Sequence, residues 1–272
     1  MPISRQVRPE SRMWPSGGAH LWPSGGTSSA HSHARGHLVY AARGVLSVHS
    51  DQGISVVPAN RVAWTPAGCV HFHRAHGATD MRIVFLPAAV ARLVPPHPAV
   101  FAVSALAREV LLTLTDARDH DGPSRDRWAR TRLYRVLVDE LRIAREQPLH
   151  LPEPRDDRLR ALARRLYDEP GTTTALAELG RSVGASSRTL SRLLRAEFGM
   201  TFYEWRTQVR IHHALVLLAD DHDTGYVAHA CGWANPSGFI AAFTDIVGTS
   251  PGRYRRDLRT GRPSRGGARA TR

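Results

Sequence analysis

Two stretches decide the fold: ALAELGRSVGASSRTLSRLLRAEFG, residues 175–199, and AHACGWANPSGFIAAFTDIVG, residues 228–248. In the first, Gly180, Gly184 and Leu190 follow one another at the spacing of a helix-turn-helix. That unit needs a small residue where two helices touch, a Gly where the turn takes a positive φ, and an apolar anchor in the second helix. Ser186 is placed to cap the second helix. Leu190, Leu193, Leu194 and Phe198 then share one face, and Ser187, Arg188, Ser191, Arg192 and Arg195 share the other. Such a face suits a DNA major groove, because Arg reads guanine edges and neutralises phosphate. In the second stretch Ala228 and Gly232 repeat the spacing of Gly180 and Gly184. Asn235 caps, Pro236 takes the first helical position, where its missing N–H costs nothing, and Phe239, Phe243 and Ile246 or Val247 form the buried face.

Between the two units residues 201–218 carry Phe202, Trp205, Val209, Ile211, Ala214, Leu215 and Leu218 at helical spacing. After the second, Gly248, Pro251 and Tyr254 read as its structural closure. Two such units joined by one long helix resemble the C-terminal DNA-binding domain of the AraC/XylS family of transcription regulators over about a hundred residues. The resemblance places Arg188, Ser191 and Arg192 at base-facing positions, with Arg195 one turn further on. Arg188 and Arg192 are the candidates for bases; Arg195, Arg206 and Arg210 are candidates for phosphate contacts or structural ion pairs. The matching positions of the second unit are Pro236, Ser237, Gly238, Ile240 and Ala241. Only Ser237 can hydrogen-bond a base edge, so sequence discrimination is expected mainly from the first unit.

The chain has 272 residues and a formal net charge of +13, and its 37 basic residues are all Arg. The charge favours a polyanionic partner, but its distribution tempers that. Residues 151–252 hold 11 Arg against 12 Asp and Glu, whereas residues 253–272 hold 8 Arg against Asp257 alone. Double-stranded DNA as partner therefore follows from the motif and not from the pI. Two cysteines, Cys69 and Cys231, fall in different expected domains and give no disulfide framework, which fits a reducing cytosol. No apolar run reaches the roughly 18 residues of a membrane span. MPISRQVRPESRM lacks the apolar core of a secretory signal. The expected setting is the cytoplasm, on the nucleoid, with no membrane partner.

Upstream, residues 1–26 are rich in Pro, Gly and Ser, carry WPSGG twice and read as a flexible arm. Short strand-like runs follow, LVYAARG, VLSVHS, ISVVPA, RVAWTPAG and MRIVFLP, and indicate a small antiparallel barrel or sandwich over residues 27–90. The whole is an α+β chain of two domains, a β domain with following helices and an all-α tandem helix-turn-helix domain. Gly25-x5-His31-x-His33-x3-His37-x6-Gly44 and Pro66-x-Gly68-x2-His71 resemble the two motifs of the cupin barrel. That resemblance implies a divalent metal held by three His and a carboxylate. Here His37 stands in place of the Glu, and Ala75 and Asn60 replace the usual Asn and Gly. In a continuous strand His31, His33 and His37 point to one face, and His71 comes from a facing strand. Four neutral imidazoles suit zinc, nickel, copper or iron(II); a metal-free effector pocket is the other reading. His73 and His76 are expected to be exposed.

Residues 91–146 read as helical. Ser104 caps a helix through Ala117, RDHDGPS (118–124) is a loop, and a helix from Ser124 to about Glu146 carries Leu133, Val136, Leu137 and Leu141 on one stripe. That stripe serves either a homodimer or packing on the barrel. Residues 147–157 carry three prolines and read as a linker. The DNA-binding domain covers residues 158–258, and a basic, disordered tail covers 259–272. The expected function is a transcription regulator whose DNA binding answers to a small-molecule or metal ligand of the barrel, with RNA polymerase as a further partner and no cofactor required. The competing readings are a metal-dependent cupin enzyme carrying a DNA-binding module, and a constitutive DNA binder with a structural barrel. No separate acid, base or cofactor motif supports the enzyme.

Overall fold

The computed structural model describes residues 17–116 and 126–260. The chain forms two compact units whose boundary in sequence lies between His150 and Leu151. Trp14 of the first WPSGG copy, the expected loop 118–124 with Ser124, and the tail beyond residue 260 lie outside the described residues.

The first unit is built on six strands, β1 (Gly18–Trp22), β2 (His37–Ser50), β3 (Gly53–Pro58), β4 (Arg61–Thr65), β5 (His71–Phe85) and β6 (Ala99–Ala102), and the seventh strand of the sheet, β7 (His150–Pro152), begins at the last residue before the boundary. Its spine is the antiparallel pair of 14 and 15 residues, β2 and β5. LVYAARG and VLSVHS, read as two strands, are one. The break between them is a pair of register shifts around Ala41, Arg43 and Val45, where Gly44 takes φ 83° and passes so close to Ala78 and Thr79 that no Cβ would fit. The shift lets β2 serve two partners along its other edge: β4 pairs with His37–Tyr40 and β3 with Val45–Ser50.

Three strands fall where the sequence suggests none. Strand β1, inside the expected arm, pairs with β5 from Gly18 against Ile83 to Trp22 against Thr79. Strand β6, inside the expected helical region, completes the edge beside β4. The expected linker holds β7, which pairs with β3, and the Leu149 carbonyl accepts from the Val56 amide at 3.0 Å. Each is a short run whose partner lies far away in sequence, so local patterning carries little trace of it.

Helices α1 (Ala88–Ala91), α2 (Ala105–Thr115) and α3 (Arg127–Ile143) follow. Ser104 caps α2 by accepting from the Ala107 amide. The cap of α3 is Asp126, two residues past the expected Ser124. Leu137 and Leu141 of α3 join Val110, Leu111 and Leu114 of α2 in one core with Leu38, Tyr40, Val62, Trp64 and Val84 of the sheet. Leu137 and Leu141 of the apolar stripe of α3 are thus used in packing on the sheet.

The second unit is all helical: α4 (Asp157–Asp168), α5 (Leu176–Ser182), α6 (Ser187–Phe198), α7 (Phe202–Ala219), α8 (Thr224–Ala230), α9 (Pro236–Val247) and α10 (Pro251–Thr260). Leu159, Leu162, Ala163 and Leu166 of α4 pack with Leu179, Leu190, Leu194, Trp205 and Val209. A capping box between Thr201 and Glu204 starts α7. Helix α10 carries order to Thr260, just past the expected start of the disordered tail.

Candidate nucleic-acid interface and histidine chamber

Each helix-turn-helix is fixed by local chemistry. In the first, Gly184 turns the chain at φ 68° and the Ser186 hydroxyl accepts from the Thr189 amide at 3.1 Å, starting α6. Gly180 must be small because the Ala185 carbonyl would lie 2.4 Å from any Cβ there. Leu190 and Leu194 are fully buried beneath α6. That burial turns Ser187, Arg188, Ser191, Arg192 and Arg195 outward, all exposed. No hydrogen bond or ion pair holds Arg188, Arg192 or Arg195 among the described residues, so their guanidinium groups are available to a ligand.

The second unit repeats the frame. Gly232 turns at φ 76°, Asn235 accepts from the Gly238 amide at 2.9 Å, and Pro236 opens α9. Phe239, Phe243 and Val247 are buried, which selects Val247 over Ile246 as the third core position. Ala228 is buried under the turn. Pro236, Ser237, Gly238, Ile240 and Ala241 face outward, so the face they form at the start of α9 is as poor in polar groups as the sequence indicates. Gly248 ends α9 at φ 80°, Pro251 is buried at the start of α10, and the Tyr254 ring meets Phe243 edge-on at 5.6 Å.

Arg210 is a correction. Proposed from sequence as a backbone contact or ion pair, it is buried inside the helical unit. Its Nη2 donates to the Thr172 carbonyl at 2.8 Å, its Nε to Pro170 at 3.3 Å, and its guanidinium lies 5.5 Å from the Trp233 ring. It holds the loop before α5 against the turn of the second unit, where Gly171 and Gly232 approach too closely for a side chain on either. Arg206 is half-buried and partly committed as well: Nη1 donates to the Thr174 carbonyl at 3.2 Å and the group lies over Phe202. No periodicity marks these contacts, because the partner carbonyls lie 32 to 40 residues away.

In the sheet unit the candidate histidines do come together, by a different route from strand alternation. Residues 25–31 run beside the start of β5, with Gly25 donating to Ala75, Ser28 to His73, and His31 and His71 exchanging backbone hydrogen bonds at 2.9 and 2.8 Å. His31 and His33 precede β2, whose first residue is His37. The Gly68 amide donates to the His33 carbonyl and holds that segment in place. His73, expected outside, is fully buried. It lies two residues from His71 on one strand, so the pleat gives both the same face. Ring centroids separate His31–His71 by 4.5 Å, His31–His33 by 4.8 Å, His33–His37 by 5.1 Å, His37–His71 by 4.8 Å and His71–His73 by 5.0 Å.

The electrostatics favour neutral rings. Burial lowers His71 to about 3, against the opposing pull of its bond to Cys69. Burial, then the His31 and Arg35 charges, lower His33 to about 4. His37 and His73 are driven well below the ordinary imidazole value by desolvation first and by the charge of His71 second. The His31 Nδ1–H donates to the Ser29 carbonyl at 2.7 Å and the His71 Nδ1–H to the Cys69 carbonyl at 2.9 Å, which leaves the Nε2 of His71 as its lone-pair atom. Cys69 itself donates to Asp51, and burial holds its thiol up at about 12, so it stays protonated.

The helix-turn-helix domain family matches residues 179–257. The chain is 30% identical over 245 residues to the HTH-type transcriptional regulator NimR of Escherichia coli K12, covering 90% of this chain and 88% of that one. It is 36% identical over 110 residues to the regulator RipA of Corynebacterium diphtheriae, covering 40% of this chain and 32% of that one. Among solved structures, fatty-acid-bound ToxT from Vibrio cholerae covers 88% of this chain and 94% of its own at 10% identity, with a TM-score of 0.38. No helix among the described residues is long and apolar enough to cross a membrane. A relative aligned over nine-tenths of the sequence, together with two helix-turn-helix units on one connecting helix, places the chain in the AraC/XylS family of DNA-binding transcription regulators.

Proposed function

We propose that this regulator selects its DNA sites chiefly through α6 and that a ligand held by the cupin-like sheet unit controls the selection. The observation that carries the first part is the outward row Arg188, Ser191, Arg192 and Arg195, unpaired and set on a helix whose cap, turn and anchor are all fixed. Arg188 and Arg192 would read base edges and Arg195 a phosphate. Helix α9, with Ser237 as its one hydrogen-bonding group on the face, would add close apolar and backbone contact. Arg206 keeps at most a shared role, and Arg210 acts inside the domain.

The ligand seat is the chamber of His31, His33, His37, His71 and His73. A small molecule or a divalent metal bound there would shift which DNA sites are occupied, through its different affinity for the two states of the protein. We place the protein on the nucleoid in the cytoplasm, as a homodimer able to contact RNA polymerase. It would be a regulator and not an enzyme, as the names of its relatives support.

The test is selection of bound sequences from a random DNA pool by the full chain, repeated with Arg192→Ala. The expected result is one shared motif, with preference lost at a defined base pair in the variant. A pool that emerges without a shared motif would sink the sequence-reading role of α6.

A further inference from the structure

The histidine chamber contains two overlapping groups whose candidate ligand atoms all lie within 4.8 Å of one another. One is His31, His33 and His71; the other is His37, His71 and His73. The second is the more completely enclosed, with all three residues at 1% exposure or less, whereas His33 is only partly buried. Both ring nitrogens of His37 and Nε2 of His71 are buried and have no hydrogen-bond partner. Leaving a polar nitrogen unsatisfied in the interior is unfavourable, because its hydration is lost and nothing replaces it. A chain that accepts this at adjoining imidazoles is holding lone pairs for something.

The supports behind the rings point to what that is. Metal-bound histidines almost always donate their second ring N–H to a carbonyl or carboxylate, which fixes tautomer and direction. His31 and His71 do so, to Ser29 and Cys69. His71 therefore offers one lone pair, on Nε2, and both groups need it. Two ions cannot share it, so the chamber has room for one. No carboxylate or thiolate belongs to either group, and the nearby Cys69 thiol is protonated and bonded to Asp51. Magnesium, calcium and manganese prefer oxygen donors, while imidazole suits zinc, copper, nickel and iron.

We propose that the sheet unit binds a single transition-metal ion through His37, His71 and His73, with His31 and His33 as the outer imidazoles that share His71 and lead to it. His73 is the ligand that the motif resemblance does not contain. It adds an imidazole to the His37 that stands in place of the carboxylate, so the set is nitrogen throughout. The proposal rests on the ligand-controlled reading above and names the class of ligand.

The experiment uses the full chain stripped with a chelator and titrated calorimetrically with zinc, nickel, copper(II) and magnesium chlorides. The expected result is one copper, nickel or zinc ion per chain, no magnesium, and three imidazole nitrogens on copper(II) in its electron paramagnetic resonance spectrum. His71→Ala and His73→Ala should each weaken binding by more than the roughly 10–100-fold that loss of an outer-shell partner costs. His97→Ala, outside the chamber, should leave it unchanged. Sub-stoichiometric binding by the wild-type chain, a copper(II) spectrum without imidazole nitrogens, or affinity retained in both chamber variants would overturn the proposal, whatever the folding of the variants. DNA affinity measured with and without the ion separates the two ideas. One ion bound with no change at DNA would leave the metal site standing and remove it as the controlling ligand. A small molecule that changes DNA affinity in a chain that binds no ion would do the reverse.

Discussion

Helices α6 and α9 occupy matching places in their units and are made by the same devices: a left-handed glycine in the turn, a side-chain cap on the helix start, and buried anchors beneath. What differs is everything pointing away from the core. The face of α6 is Ser187, Arg188, Ser191, Arg192 and Arg195; that of α9 is Pro236, Ser237, Gly238, Ile240 and Ala241. The frame is therefore indifferent to the reading face, since the two sets of residues occupy opposite sides of each helix and answer to different constraints. The turns differ in surroundings as well. Space around Gly184 is open, whereas Gly232 is pressed against the Gly171 carbonyl under Arg210.

The strongest way to break this comparison is at the turns. Gly184→Ala should cost about 1–2 kcal/mol, the price of a left-handed Ala. Gly232→Ala should cost more, because the added Cβ would sit 2.3 Å from the Gly171 carbonyl. Urea unfolding of the two variants checks the order, and equal losses would show that the contact relaxes freely.

Acid should next separate both units from the sheet. His33, His49, His76 and His150 are lowered to about 4 and His71 to about 3, each from 6.5 and each by burial first. With folded values below unfolded ones, the unfolded chain binds more protons in that window. Sheet stability is then fully present above about pH 6.5 and is lost as pH falls toward 4. The outward face of α6 carries no histidine. Hydrogen exchange followed over residues 38–85 and 159–247 in metal-free protein should show protection falling first in the sheet.

Substitutions on the faces give the finer effects. Arg188→Ala and Arg192→Ala should each cost about 1–3 kcal/mol of discrimination at one base pair if they read bases. A loss spread evenly over all sequences, with a shallower salt dependence, would assign them to phosphate. Ser237→Ala should change affinity least, within a few-fold in the same binding assay; a larger loss would raise α9 to an equal reader.

The helical domain was legible because its signals are local. Ser186, Asn235, Pro236 and the glycines act within one turn of their own position, and the apolar spacing of α6 and α9 needs no knowledge of partners. The sheet unit was legible in class and less so in detail. β1, β6 and β7 are strands because of what they pair with, and the pairing is not written in three to five residues. His73 is placed by the pleat alone, being two residues from His71 on one strand. Arg210 left no such clue, since its place inside the fold depends on carbonyls of Pro170 and Thr172.

By itself, then, the sequence determined two helix-turn-helix units, their unequal faces and a β domain carrying a histidine-rich stretch. Tertiary structure decided which histidines meet, through backbone pairing of residues 25–31 with β5. It also decided which arginines stay exposed, through the burial of Arg210 beneath the second turn. Caps, turns and helical spacing act over about four residues, whereas a side chain's neighbours across a sheet or between helices are set only when distant segments pack.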